Sequence, residues 1–404
     1  MTRRVRRCTL VGILGVALLL LSGAGSYARI VPPRDPRDGI LDASLVAIVK
    51  QAGPDTFEIQ EVFLGDAEVG DSIELPGFRL YTVQMYGPEK VEPIAPDTRV
   101  LVFLRRGEQD PTKWEVTRHG YCFFWVHDPG QVDRLRKMAR DAVSLRRSWE
   151  RARDIPDEGR RVEALWPYLW DHGVSFLRHT RDELAKTGAV AGDYIAERLT
   201  SMSHGERMTL MPDSARLGGE RLHAALVQHL LAQQKLYEDL LARRGPGARD
   251  LIEDWDTAPD EIRNIWGELF YGLGGLAGFK DRGDLPYVRE LASWAIKHRL
   301  KPTCVSALHA FRDMPDRANV PVIEAIWKEF STRPYEGNAL NPFDVTRSLR
   351  THKFPETVPV LAELLGEEHA GREARSFLAE IVGRDLGAEP QAWLDWYAQG
   401  TQGP

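Results

Sequence analysis

The chain has 404 residues, 43% of them hydrophobic and 28% charged, a balance that excludes a mainly disordered protein. That length leaves room for two or three domains. The formal net charge of −6 argues against general nucleic-acid binding, which needs positive charge concentrated against phosphates.

In chain order, the first signal is N-terminal. Arg3, Arg4, Arg6 and Arg7 precede an apolar run over residues 10–21, and small residues follow to Ser26-Tyr27-Ala28. A basic start, a short apolar stretch and small residues at a cleavage point are the pattern of a secretory signal peptide. Residues 1–28 are therefore expected to be removed before Arg29, with the mature chain secreted or periplasmic. Twelve helical residues reach about 18 Å, short of a hydrocarbon core of roughly 30 Å, which argues against an uncleaved anchor. Removing this segment takes away four arginines and no acids, so the mature chain is more acidic still. Cys122 and Cys304 both lie among apolar residues and read as buried thiols, not as a disulfide framework.

Residues 29–41, with Pro32, Pro33 and Pro36, form an extended linker. Residues 42–128 then carry strand signals: a β-rich run at 44–49, alternation at Phe57-Glu58-Ile59, turns at Gly65-Asp66 and Gly70-Asp71, and a near-continuous apolar run at 99–104. One or two more strands fit within 114–126. Five or six short strands separated by Gly, Pro and Asp predict a small antiparallel β-barrel or sandwich. The order of these strands resembles the OB-like or netrin-like barrels at the front of some secreted proteins, which implies such a barrel here.

Residues 130–155 predict a connecting amphipathic helix. Val132, Leu135, Ala139, Ala142, Val143 and Trp149 share one arc, with Arg134, Arg136, Lys137, Arg140 and Arg147 opposite. The basic face suits an anionic membrane surface, but the interleaved Asp133 and Asp141 make a solvated face the simpler reading. Residues 156–399 are helical by period. Trp166, Tyr168, Trp170 and Phe176 make one segment aromatic, residues 221–241 form a long amphipathic run, and residues 201–219, rich in Met, Gly, Pro and Ser, read as a loop of the length that is often functional.

The clearest organisation is in residues 284–399. Leu285-Pro286-Tyr287-Val288, Val320-Pro321-Val322-Ile323 and Val358-Pro359-Val360-Leu361 align on their prolines, 35 and 38 residues apart. Proline is tolerated in a helix's first turn, and the apolar residues after it fall on one face. Second helices are expected at 303–311, 344–349 and 372–382, and an aromatic closing helix holds Trp393, Trp396 and Tyr397. Helix pairs at this period resemble HEAT-like repeats, which implies an α-solenoid. The expected fold class is α+β multidomain: the small antiparallel β-barrel or sandwich, then the HEAT-like solenoid.

The chemistry-bearing patterns do not hold up as catalytic or metal sites. Residues 272–278, Gly-Leu-Gly-Gly-Leu-Ala-Gly, have the spacing of a dinucleotide loop but follow a helix where a strand is required, so close helix packing explains them better. His119, Cys122 and His127 lack a completing ligand pair, and His223 and His229, six residues apart, do not share a helix face. Serine-hydrolase and His-Glu-x-x-His signatures are absent from the sequence. No catalytic residue, metal or cofactor is assigned. The sequence reads as a non-catalytic binding or scaffold protein whose solenoid holds a protein or peptide partner, with Arg347, Arg350, His352 and Lys353 as the first candidates to touch it. The alternative is a hydrolase of envelope or extracellular polymers, its site near residues 201–219 or near Trp166 and Trp170.

Overall fold

The computed structural model describes residues 39–75, 81–82, 90–91, 98–117, 123–126, 129–170, 173–245, 258–331, 340–368 and 370–401. The signal-peptide segment, most of the linker, and His119, Cys122, His127 and His172 lie outside them. The chain divides into two compact units, one running to Arg147 and including Gly173–Ser175, the other holding Ser148–His172 and everything from Phe176 onward.

The first unit is an antiparallel sheet. β1 (Leu45–Gln51) pairs with β2 (Thr56–Leu64), which pairs with β3 (Ser72–Glu74). A separate two-strand ladder joins β4 (Tyr81–Thr82) to β5 (Lys90–Val91). On its other edge β1 pairs with β6 (Arg99–Arg106), whose far edge is shared by β7 (Trp114–Val116) and β8 (Phe123–Val126). The register skips Phe63 and Gln60 of β2 opposite Val46/Ala47 and Ile48/Val49, so β2 carries the extra residues, and such bulges bend the strand that holds them and add local twist.

The apolar run at 99–104 is explained by burial on both faces. Leu45, Ala47, Val49, Phe57, Ile59, Val100, Val102 and Leu104 form one core layer. Val46, Ile48, Leu101 and Phe103, also buried, point the other way. The helix α1 (Val132–Arg153) lies against that second face. Arg136 donates through Nε at 2.7 Å to Glu61, which stands opposite Ile48 in the register, and Arg146 donates to the carbonyl of Ile40 at 3.0 Å and to that of Ala43. Part of the basic face read from the sequence is thus occupied in holding the sheet.

The second unit is helical. α2 (Glu158–Leu165), α3 (Gly173–Thr187), α4 (Ala189–Arg198), α5 (His204–Leu210), α6 (Ser214–Leu217), α7 (Glu220–Arg244) and α8 (Asp260–Gly278) precede the repeats. Then come α9 (Leu285–Lys297), α10 (Lys301–Asp313), α11 (Val320–Ser331), α12 (Pro342–Arg350), α13 (Val358–Glu363), α14 (Gly371–Val382) and α15 (Pro390–Thr401). α8, α10, α12 and α14 pack in succession as one layer; α9 packs on α11 and α13 on α15 in the other. The three Pro-first helices appear where the sequence placed them. Each is entered by the same turn: Asp284 N donates to Asp281 O at 3.1 Å, Asn319 N to Asp316 O at 3.0 Å and Thr357 N to Phe354 O at 3.0 Å. Trp393 is fully buried and donates to Gly387 O at 3.0 Å, so this indole is a packing element.

Residues 201–219 correct the sequence reading. They are not a loop but α5, a 3₁₀ turn at Met211–Asp213, and α6. Ser203 and Glu206 form a capping box: Glu206 N donates to Ser203 Oγ at 3.3 Å, and Ser203 N donates to Glu206 Oε2 at 2.6 Å. This segment packs onto α8, and the glycines there make room for it. A Cβ at Gly275 would lie 2.0 Å from Met211 O, and one at Gly278 would lie 2.8 Å from Ala215 Cβ. The dinucleotide-like spacing is therefore a helix-packing stripe.

Candidate functional site

The densest polar constellation among the described residues surrounds Glu268. It sits mid-way along α8, which is buried on nearly every side, and its side chain is only 3% exposed. A carboxylate there needs donors, since burying an uncompensated charge is costly. Three arrive from two other helices. His204 Nδ1 and Arg207 Nη2, both from α5, each lie 2.8 Å from Oε1, and His229 Nε2 from α7 lies 2.7 Å from Oε2. An ionised carboxylate only accepts, so both imidazoles present a protonated nitrogen to it. Arg207 also donates to Met202 O, tying the start of α5 to the same hub. Burial by itself would raise the Glu268 carboxyl, but hydrogen bonds from His229, Arg207 and His204 outweigh it and hold the group at about 2.

That value decides its chemistry. General acid or base work is most effective with a pKa near the working pH. A carboxyl held at about 2, with both oxygens occupied, orients its partners and carries charge; it does not shuttle protons near neutrality. The hydrolase alternative, which placed its site near this segment, gains nothing from the hub.

A second cluster joins α7 to the turn before α9. His223 Nε2 lies 2.7 Å from Asp284 Oδ2, and Asp281 completes a group whose ligand atoms all fall within 4.8 Å of one another. Asp284 is buried, and the Phe279 ring meets the imidazole edge-on at 5.0 Å. The sequence reading left His223 and His229 without partners. The structure gives each its own carboxylate, on different sides of α7.

Trp166 and Trp170 pack edge-to-face at 5.5 Å, Trp166 meets Tyr194 at 5.2 Å, and the Arg198 guanidinium sits 3.4 Å above the Tyr194 ring. This is an aromatic cluster within the helical unit, in which both indoles are half-buried.

The four residues singled out for partner contact divide. Arg347, Arg350 and Lys353 are exposed; Arg347 stacks 5.4 Å over Phe343, Arg350 5.2 Å over Phe377, and Lys353 pairs with Glu380 at 3.3 Å. His352 is fully buried, which removes it from any surface. Its Nδ1 donates to Ser348 O at 2.8 Å, and Nε2 accepts from Asn319 Nδ2 at 3.3 Å. Burial, opposed by the hydrogen bond to Ser348, lowers its pKa and favours this neutral form. Asn319 is itself saturated, donating to Met314 O at 3.1 Å and accepting from Arg289 at 3.1 Å. The basic stretch between helices thus contains a structural latch at His352 beside three exposed cations.

No family model matches this chain, and neither the curated proteins nor the solved structures yield a match. No helix among the described residues is long and apolar enough to cross a membrane.

Proposed function

We propose that the chain is an extracytoplasmic scaffold whose helical unit is a HEAT-like solenoid that holds a protein or peptide partner. The observation that carries this reading is the repeated unit: three Pro-first helices, each entered by the same 3₁₀ turn and each packed against a second helix. Stacked units of this kind bury a continuous core and leave one helix row of each layer as an extended surface. The basic, apolar and small-residue order of residues 1–28 supports export, with cleavage before Arg29. The β unit resembles small OB-like or netrin-like domains in its strand order.

Arg347 and Arg350 are the residues on which we place recognition, with Lys353 beside them. Both guanidinium groups rest on aromatic rings, which lowers the entropy lost when they grip a carboxylate. The partner surface is accordingly acidic. The test is cross-linking of the tagged full chain in a native envelope extract, wild type against Arg347→Glu/Arg350→Glu. Both positions are exposed, and substitutions at such sites usually change stability by only about 0.5 kcal/mol. A reproducible partner that is lost from the double variant and weakened by salt supports the proposal. A partner retained equally by the variant refutes this surface, and no partner across conditions refutes the scaffold reading.

A further inference from the structure

We infer that His223, Asp281 and Asp284 form a binding site for a borderline divalent cation of the Zn²⁺ type, at the junction of α7 and the first repeat. One imidazole nitrogen and two carboxylates offer ligand atoms that lie within 4.8 Å of one another. Modest side-chain rotation brings such atoms round a single ion, for which Zn–N and Zn–O bonds run about 2.0–2.2 Å. The two carboxylates balance a doubly charged ion, so the filled site is neutral where Asp284 is buried. Imidazole nitrogen selects Zn²⁺ over Mg²⁺ and Ca²⁺, which prefer all-oxygen sites. Water would fill the remaining position.

The neighbouring repeat separates what the turn needs from what it does not. In both turns the first Asp is a backbone cap: Asp281 Oδ1 accepts from Gly283 N at 2.8 Å, and Asp316 Oδ1 from Ala318 N at 2.8 Å. That cap uses Oδ1 alone. At the fourth position the second turn carries a neutral amide, Asn319, bonded to Met314, His352 and Arg289. The fold therefore does not require a carboxylate there. The first turn nevertheless has Asp284, with an imidazole delivered to it from α7 and a second carboxylate alongside. Lys280 and Arg282 flank the turn but are exposed, so solvent screens them. On binding, the ion takes the place of the proton that His223 Nε2 presents to Asp284, and the neutral imidazole carries its one proton on Nδ1.

The experiment is equilibrium dialysis of the chelator-stripped full chain against Zn²⁺, with parallel dialyses against Ca²⁺ and Mg²⁺. It compares wild type, Asp281→Asn and His223→Gln, and each is also melted with and without Zn²⁺. Asp281→Asn keeps an oxygen to cap Gly283 N and so keeps the turn. The expected result is one Zn²⁺ per wild-type chain, an upward shift in Tm on adding Zn²⁺, and affinity weakened about tenfold or more in Asp281→Asn. No stoichiometric zinc, or zinc bound equally by wild type and Asp281→Asn, overturns the site. Tighter binding of Ca²⁺ or Mg²⁺ overturns the ion assignment.

Discussion

Replacing Glu268 by Gln removes one charge and almost no volume from the hub where α5, α7 and α8 meet. Two independent routes give the cost. The carboxyl is held at about 2 against an ordinary value of 4.5, which at about 1.4 kcal/mol per unit is about 3 kcal/mol of stability at neutral pH. Breaking a buried ion pair from one side typically costs about 3–5 kcal/mol, and here Arg207 would be left facing an amide. The sign follows from a depressed carboxylate: its contribution is complete above the unfolded pKa and is lost as pH falls from about 4.5 toward about 2. Denaturant titrations of wild type and Glu268→Gln, followed by far-ultraviolet circular dichroism, should differ by about 3 kcal/mol at pH 7, and the gap should close across that acid window. A difference below about 1 kcal/mol at pH 7, or one that persists undiminished at low pH, refutes the hub as a stabilising ion network.

Gly275→Ala drives a Cβ to 2.0 Å from the Met211 carbonyl and should destabilise the helical unit by about 1–3 kcal/mol, whereas Gly274→Ala, exposed and 3.6 Å from Ser306 Oγ, should gain up to about 1 kcal/mol of helix propensity; paired thermal melts check the opposite signs. Cys304 is fully buried, and burial pushes its thiol well above the ordinary range, so thiol reagents should leave it unlabelled in the native protein and label it in denaturant, as read by peptide mass mapping.

Much of the architecture was legible because it rests on periodicity. Apolar residues after Pro286, Pro321 and Pro359 fall on one helical face, and that face is what the core takes: Val288 and Leu291, Ile323 and Ile326, Val360 and Leu361 are all buried. The two-sided strand at 99–104 announced itself by lacking alternation. Residues 201–219 were misread because composition was weighed above capping. Gly, Met, Ser and Pro look like loop, yet Ser203-x-x-Glu206 is a helix-start signature, and the glycines of α8 were the other half of the same contact. The Glu268 hub had no local signature at all. Its members are separated by up to 64 positions, and only the crossing of α5, α7 and α8 brings them together.

The turn before each Pro-first helix shows how one backbone device takes three side-chain solutions. The backbone requirement is a 3₁₀ closure, met at about the same distance in all three copies. The fourth residue is buried each time, so its polar atoms must be satisfied. Thr357 solves this locally, donating to Phe354 O at 2.7 Å. Asn319 solves it across units, with Arg289 from one side and His352 from the other. Asp284 takes His223 from the helix that precedes the repeats. The local solution leaves Thr357 itself without a bond to the neighbouring unit, which reaches this turn instead through Arg317, paired with Glu356 at 3.4 Å and lying 5.5 Å over the Phe354 ring, while the amide and the carboxylate bond directly from one unit to the next. Of the three, only the carboxylate brings a negative charge to that position, and among the described residues it is there that an imidazole and two carboxylates group within ligand distance. The fourth position of the turn thus bonds one helix pair to the next in two of the three copies, and at Asp284 an acid there, with His223 and Asp281 beside it, supplies the donor set proposed for the cation.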